Sequence, residues 1–382
     1  MIRYFFACCC FALSSALSAQ IDIPGTIQSG GLTREYILYR PAIYTGATPV
    51  PLIINLHGYG SNNLEQEFYG DFRGIADTAN FLIVHPNGTL DRQGNRFWNT
   101  FGTGEVVDDV TFIANLIDTL SALYNIDPQR IYSTGMSNGG FMSYSLACEL
   151  NDRIAAIASV TGSMIAPKLT ACNPQRPVPV MEIHGTADNV VPYDGSVLNT
   201  FVPISTLVNA WVNFNHCDPT PVFNTVPNTN TTDGCTAEHY VYGGGDAGST
   251  VEHFKIIGGG HTWPGSPFII GITNQDIKAS EEIWRFFRKY KLDGLTNTTQ
   301  IEPTANWTVF PNPATDYLIL QSNLQTPVQN IKVWNATGQL ERVIKPEGTN
   351  FIRLKTGAWQ KGLYFLTIEQ AGKTECLRVL KI

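Results

Sequence analysis

Between Arg34 and Tyr290 the chain alternates short apolar runs with stretches of helical spacing. Leu52-Ile53-Ile54-Asn55-Leu56, which follows two prolines and precedes glycines, has the continuous apolar character of a strand buried on both faces. Arg34–Tyr39 is the first clear strand; Phe81–His85, Arg130–Thr134, Ile154–Val160, Val178–His184 and Glu252–Ile257 repeat the pattern. Helical spacing falls over Asp109–Tyr124, Phe141–Leu150 and Asp276–Tyr290. Strands that alternate with helices imply parallel strands joined by right-handed crossovers, so the predicted architecture is a three-layer α/β sheet over residues 20–291. From Lys291 the pattern changes. Residues 292–305 are rich in Thr and Asn with little to bury, and they read as a linker. Beyond them Tyr317–Gln321, Ile331–Asn335, Phe351–Leu354, Gly362–Glu369 and Leu377–Ile382 are short strands with turn residues between, among them Ala336-Thr337-Gly338 and Ala371-Gly372. The segment 306–382 is therefore a small all-β sandwich.

Composition narrows the function classes. The 382 residues are 43% hydrophobic and only 15% charged, which excludes disorder, coiled coil or collagen-like repeats as the dominant state. The net charge is −7, unevenly spread: the last 82 residues carry +3 and the first 300 carry −10. An acidic body without Lys/Arg runs is not a nucleic-acid binder, since phosphate contacts need clustered cations.

Residues 1–19 have Arg3, an apolar stretch from Tyr4 to Leu13 and a small-residue end at Ser14–Ala19, the plan of a secretory signal peptide cut near Ala19. The alternative is a membrane anchor, but the run is shorter than the roughly 20 residues a bilayer requires, and no later segment reaches that length. Cys8, Cys9 and Cys10 leave with the leader. Of the five cysteines left, local pairing gives Cys148–Cys172 and Cys217–Cys235 as the expected disulfides of an exported chain, with Cys376 left over. No pair has zinc-knuckle spacing.

The chemistry concentrates at strand ends. Gly135-Met136-Ser137-Asn138-Gly139 directly follows the strand Arg130–Thr134 and precedes the helical run from Phe141. That strand–turn–helix context is what a nucleophile elbow needs, because the flanking glycines let the chain turn sharply and leave the serine hydroxyl exposed. A serine needs a base, and the base needs a carboxylate, in the chain order Ser, Asp or Glu, His. Asp188 lies in the turn after His184, 51 residues beyond Ser137, and His261 follows Gly258-Gly259-Gly260, 73 residues further on. Both fall at the carboxyl ends of strands, where open α/β sheets place their sites.

Other candidates fit structural roles better. His253 falls inside a strand, His239 and His216 lie in or beside the cysteine-bounded insertion, and His85 and His184 close strands as turn or core residues. Asp194 lies beyond Pro192, further from the strand end, and Asp108 and Asp109 open a helix as capping residues. The loop His57-Gly58-Tyr59-Gly60 follows a strand as an oxyanion loop does. The expected donors are the N–H groups of Tyr59 and Asn138, with His57 ordering the loop. There is no H-E-x-x-H and no phosphate loop, so neither a metal nor an organic cofactor is expected.

With these motifs in place, residues 25–290 resemble the polyhydroxybutyrate-depolymerase-like esterases, relatives of the feruloyl and acetyl xylan esterases of carbohydrate esterase family one. The resemblance is carried by Leu56-His57-Gly58-Tyr59-Gly60, Val107-Asp108-Asp109-Val110, Gly135-Met136-Ser137-Asn138-Gly139-Gly140, His184-Gly185-Thr186-Ala187-Asp188 with Val191-Pro192-Tyr193, and Gly259-Gly260-His261-Thr262-Trp263-Pro264-Gly265. It implies an α/β-hydrolase fold and a triad of Ser137, Asp188 and His261. Trp98, Trp263 and Tyr59 are candidate walls for an aromatic or polymeric acyl group, with core packing as the alternative. Phe310-Pro311-Asn312-Pro313-Ala314-Thr315-Asp316, Val333-Trp334-Asn335-Ala336-Thr337-Gly338 and Lys361-Gly362-Leu363-Tyr364-Phe365 resemble the sorting domain of type IX secretion. That implies export through the periplasm and outer membrane, a secreted or surface location, the type IX machinery as partner, and removal of the tail on arrival; a carbohydrate-binding sandwich is the alternative.

The reading that follows is a secreted serine esterase acting on feruloyl or acetyl esters of plant polysaccharide. Polyhydroxybutyrate depolymerisation, peptide hydrolysis by the same triad, and a non-catalytic surface-binding role are the alternatives.

Overall fold

A computed structural model describes residues 21–101, 107–196, 200–295, 307–322, 327–335, 339–346, 351–370 and 373–382. The predicted leader 1–19, linker residues 296–305 and the turns at 336–338 and 371–372 lie outside them. The chain divides into two units between Asn297 and Thr298.

The first unit runs through β1 (Ile21–Ser29), β2 (Leu32–Arg40), β3 (Val50–Leu56), α1 (Asn63–Tyr69), α2 (Arg73–Ala79), β4 (Leu82–Pro86), the short pair β5 (Thr89–Leu90) and β6 (Arg96–Phe97), and α3 (Asp109–Leu123). It continues with β7 (Ile126–Met136), α4 (Asn138–Glu149), β8 (Ala156–Val160), α5 (Ala166–Ala171), β9 (Val180–Gly185), α6 (Ile204–Phe214), β10 (Val222–Thr225), β11 (Thr236–Tyr242), β12 (Val251–Ile257), α7 (Ala279–Phe287) and the hairpin β13 (Tyr290–Lys291) and β14 (Gly294–Leu295). Ten strands form one sheet in the order β1-β2-β4-β3-β7-β8-β9-β12-β11-β10. From β4 to β12 every pairing is parallel, and antiparallel strands close both edges.

Alternate residues of β3 feed two apolar layers, which explains why its sequence is continuously apolar. Leu52, Ile54 and Leu56 pack with Phe112 and Leu116 of α3, Leu146 of α4 and Trp211 of α6. Ile53 packs on the opposite face with Ala76 of α2 and Ile283, Phe286 and Phe287 of α7. The architecture is the three-layer α/β sheet that the alternation predicts.

Helix α7 is shorter than the predicted Asp276–Tyr290. Asp276 instead accepts hydrogen bonds from the N–H groups of Thr229 and Asn230, at 2.7 and 2.9 Å, and Tyr290 enters a hairpin that absorbs the first residues of the predicted linker. Asp108 caps α3 through Thr111 N at 2.9 Å. Asp109 does not share that role: buried one residue further on, it pairs with Arg34 at 2.7 Å.

One of the two expected disulfides is present, Cys148–Cys172, with Cα atoms 5.2 Å apart. Cys217 and Cys235 are buried thiols, which corrects the second pairing. Cys235 immediately precedes β11, whereas Cys217 packs against Gly245 and Ser249 beyond its other end. A strand of that length spans roughly 20 Å, far beyond the ~7 Å that a disulfide bridges. The Cys376 side chain is outside those described. Replacing Cys148 and Cys172 together by serine is expected to lower stability by about 3.5 kcal/mol, the chain-entropy value for their 24-residue separation. Urea unfolding measures this, and an unchanged midpoint would show that packing alone closes the loop.

The second unit consists of β15 (Trp307–Phe310), β16 (Tyr317–Ser322), β17 (Val328–Asn335), β18 (Leu340–Ile344), β19 (Phe351–Lys355), β20 (Gly362–Gln370) and β21 (Lys373–Lys381). They form two antiparallel sheets, β15-β16-β19 and β18-β17-β20-β21, around one core that includes Trp307, Leu320, Ile331, Leu354 and Leu366. Alternation makes that core: Leu318 and Leu320 of β16 point inward while Tyr317 and Gln321 face out. Among the described residues no helix is long and apolar enough to cross a membrane.

Candidate active site

Three loops meet above the carboxyl ends of the parallel strands. The first is the junction of β7 and α4, where Ser137 stands with φ +54°. This left-handed backbone is rare outside glycine and marks a chain turned sharply from strand to helix. The Ser137 N–H donates to Val160 O at 2.8 Å, holding the turn on β8. Gly139 lets the end of β3 come close: a Cβ there would lie 2.2 Å from Leu56 O, so the loop that begins at His57 rests on the elbow.

The second and third loops are locked to each other. A Cβ on Gly185 would lie 2.2 Å from Gly259 O, and the N–H groups of Thr186 and Ala187 donate to Ile256 O and Gly259 O at 2.8 and 2.9 Å. The turn carrying Asp188 is thereby fastened to the loop carrying His261. His261 Nδ1 lies 2.7 Å from Asp188 Oδ2, while Asp188 Oδ1 accepts from the N–H groups of Val190 and Val191 at 2.8 and 2.9 Å. Burial acts to raise the Asp188 pKa. Hydrogen bonds from His184 and His261 outweigh it, and the carboxyl is held well below the ordinary aspartate range.

Ser137 and His261 line one cavity of about 660 Å³, together with Gly58 and Tyr59. Leu64, Phe68, Phe268 and Ile270 surround it and are all exposed, although none carries a motif that the sequence analysis singled out. The signal was present as apolar side chains, Phe268-Ile269-Ile270, in a stretch with no element to bury them.

Of the predicted oxyanion residues, Asn138 follows Ser137 in the chain and Tyr59 lines the same cavity as Ser137. Asn138 is the first residue of α4, where N–H groups have no acceptor within the helix, and its side chain grips residues 98–100 through Trp98 N, Trp98 O and Thr100 Oγ1 at 2.6, 3.1 and 3.0 Å. Tyr59 is exposed, with its hydroxyl on Asp91 Oδ2 at 2.6 Å. Buried His57 accepts from Gly88 N at its Nε2, and burial holds its pKa down to about 4, so it is a neutral ring that braces the loop.

Residues 103–210, which include Ser137 and Asp188, match the phospholipase/carboxylesterase family model, and residues 308–381 match the secretion system C-terminal sorting domain. The first unit thus has the α/β-hydrolase fold, and its central part is similar to carboxylesterases. The sorting domain directs the chain to type IX secretion and so to the cell surface or extracellular space. The hydrolase domain is similar to a bifunctional acetylxylan esterase/xylanase of Neocallimastix patriciarum, 29% identical over 264 residues that cover 69% of this chain and 34% of that protein. It is also similar to feruloyl esterase B of Piromyces equi, 30% identical over 237 residues, 60% of this chain and 42% of that one. The chain thus spans about a third of the first relative's length and about two fifths of the second's. Among solved structures an acetyl xylan esterase from Aspergillus awamori shares the fold, with a TM-score of 0.51 at 13% identity, covering 69% of this chain and 98% of that one.

Of the candidate walls, both tryptophans are buried, the core-packing alternative. Trp98 is fully enclosed, with Nε1 donating to His57 O at 2.9 Å, and it supports the loop from beneath. Trp263 packs edge-on against Phe72, donates from Nε1 to Ser280 Oγ at 3.2 Å, and borders a separate cavity behind Tyr69. A large aromatic beside a catalytic motif is as readily a brace as a wall. Among the described residues no three His, Cys, Asp or Glu side chains gather as a metal-binding group.

Proposed function

We propose that this protein hydrolyses carboxylic esters outside the cell through an acyl-enzyme formed on Ser137, with acetyl or feruloyl esters of polysaccharide as substrates. The observation that carries the reading is the His261 ring, tied at Nδ1 to a buried, ionised Asp188 and sharing one cavity with the serine of a strained elbow. His261 takes the proton from Ser137 as Oγ attacks the ester carbonyl, then returns it to the departing alkoxide, and in the second half-reaction activates water in the same way. Asp188 keeps the imidazole oriented and stabilises its charged form. The N–H groups of Tyr59 and Asn138 receive the developing oxyanion. The exposed apolar rim of Leu64, Phe68, Phe268 and Ile270 supports an aromatic or polymer-linked acyl group over a small polar one. The sorting domain engages the type IX machinery, which brings the enzyme to polymers that do not enter the cell.

The test is a side-by-side comparison of methyl ferulate, acetylated xylan and a short hydroxybutyrate oligomer, with a peptide amide as control. Turnover of the first two above the third is the expected result; turnover of the oligomer alone, or of the amide at a comparable rate, overturns the substrate assignment.

A further inference from the structure

A second histidine stands behind Asp188. His184, the next-to-last residue of β9, is completely buried, with Nδ1 2.8 Å from Glu182 Oε1 and Nε2 2.8 Å from Val191 O and 3.4 Å from Asp188 Oδ2. Proton counting constrains its state. Val191 O can only accept, so Nε2 carries a hydrogen. The contact between Nδ1 and Glu182 Oε1 needs one more proton, on nitrogen or on oxygen. Burial pushes the Glu182 pKa up, but the other Glu182 oxygen, Oε2, takes the hydroxyl hydrogen of buried Tyr144 at 2.8 Å, and that bond together with the His184 contact favours the ionised carboxylate.

We propose that His184 is a buried imidazolium, held by Glu182, which serves as a positioning residue: it grips the Asp188 carboxylate from behind and offsets part of the negative charge that His261 faces. The inference rests on the proposed esterase reading for its kinetic consequence. The same Asp188 Oδ2 meets both rings, His261 at 2.7 Å and His184 at 3.4 Å, so the charge of one is felt by the other. Burial opposes a charged His184, but hydrogen bonds to Asp188 and Glu182 outweigh it and push its pKa up to about 9.

The remaining groups around the ring do not replace that charge. Tyr193 lies edge-on at 6.0 Å, with its hydroxyl on His253 Nε2 at 2.9 Å. His253 of β12 lies with Nδ1 3.0 Å from Glu182 O, and burial holds its pKa down to about 3, so it is neutral. Lys255 is the cross-strand partner of His184 but places its ammonium over the Tyr193 ring, at 5.6 Å.

The sign of the effect follows. Remove the cation, and His261 faces an uncompensated Asp188; its protonated form gains, and the base is lost at a higher pH. In Glu182→Gln, and in the double variant Glu182→Gln/His184→Gln that removes both charges, the acid limb of kcat/KM for a soluble acetate ester should move up by about one pH unit. KM should change little, and Glu182→Asp, which keeps the charge, should lie nearer the parent. A merely structural role would lower the thermal midpoint and leave the limb where it was. Nitrogen-15 spectra of the histidine rings in the full native chain read the state directly: both nitrogens of His184 should remain protonated through pH 8. A bare ring nitrogen on His184 at pH 7, or an unmoved acid limb in either folded variant, overturns the proposal. The spectra need no turnover, so a chain that hydrolyses no ester would sink the esterase reading while still deciding the state of His184.

Discussion

Ser137→Ala is expected to lower kcat/KM for a chromogenic acetate ester by about 10⁴- to 10⁶-fold, the range seen when the nucleophile of such a constellation is removed. The substitution removes one oxygen from a side chain in the wall of an open cavity. It leaves the Ser137 N–H bond to Val160 O and the glycine contacts beneath it untouched, so the loss is not one of folding. A small residual rate should persist, because the oxyanion donors and the bound geometry still act on a water-driven reaction. Loss of fluorophosphonate labelling should accompany the loss of turnover. If the alanine variant hydrolyses the ester at the parental rate, the nucleophile is elsewhere and the proposed mechanism fails.

The parts of the fold legible in the sequence are those in which a segment's environment is uniform. Strands β3, β4, β8 and β9 are buried along their whole length and β7 over residues 131–135, so their residues are mostly apolar and the runs stand out. Strands β1 and β10 lie at the sheet edges with mostly exposed residues, and β1 contains Pro24 and Gly25; neither shows a run. Helix α6 differs, since Ile204, Leu207, Val208, Trp211 and Val212 keep full helical period and were open to reading, whereas α1, with seven residues and buried Gln66 and Glu67, was not. At the site, motif residues at strand ends were legible because the elbow and its partner turns require glycine at fixed places. The Glu182–His184 pair was not: at the end of a buried strand a histidine reads as a core residue, and only the meeting of β9 with its own following turn brings it against Asp188. The apolar rim is assembled from α1 and the 268–270 segment, some 200 positions apart, and no local pattern announces that meeting.

Asp109→Ala should cost about 3–5 kcal/mol, the range for leaving a buried charge unpaired, whereas its neighbour Asp108→Ala should cost only about 1 kcal/mol as a lost helix cap. The two acids adjoin at the start of α3 but differ in what they hold. Asp109 receives Arg34 Nη2 at 2.7 Å, with both side chains almost wholly enclosed, and takes the Asn99 N–H on its other oxygen at 2.8 Å. Arg34 in turn bonds Asn87 O at 3.1 Å and stacks its guanidinium 3.8 Å above the Phe112 ring. Removing the carboxylate strands a guanidinium between an aromatic face and the sheet, where water cannot replace the lost partner. Removing both charges, in Arg34→Met/Asp109→Leu, should recover much of the loss, since a buried pair roughly balances its own desolvation. Urea unfolding of the three variants decides it, and equal costs for Asp108→Ala and Asp109→Ala would sink the assignment. Activity should follow stability here. The Asn99 N–H bond to Asp109 secures the 98–100 segment that grips Asn138, so the loosened variant should lose turnover even in the fraction that remains folded.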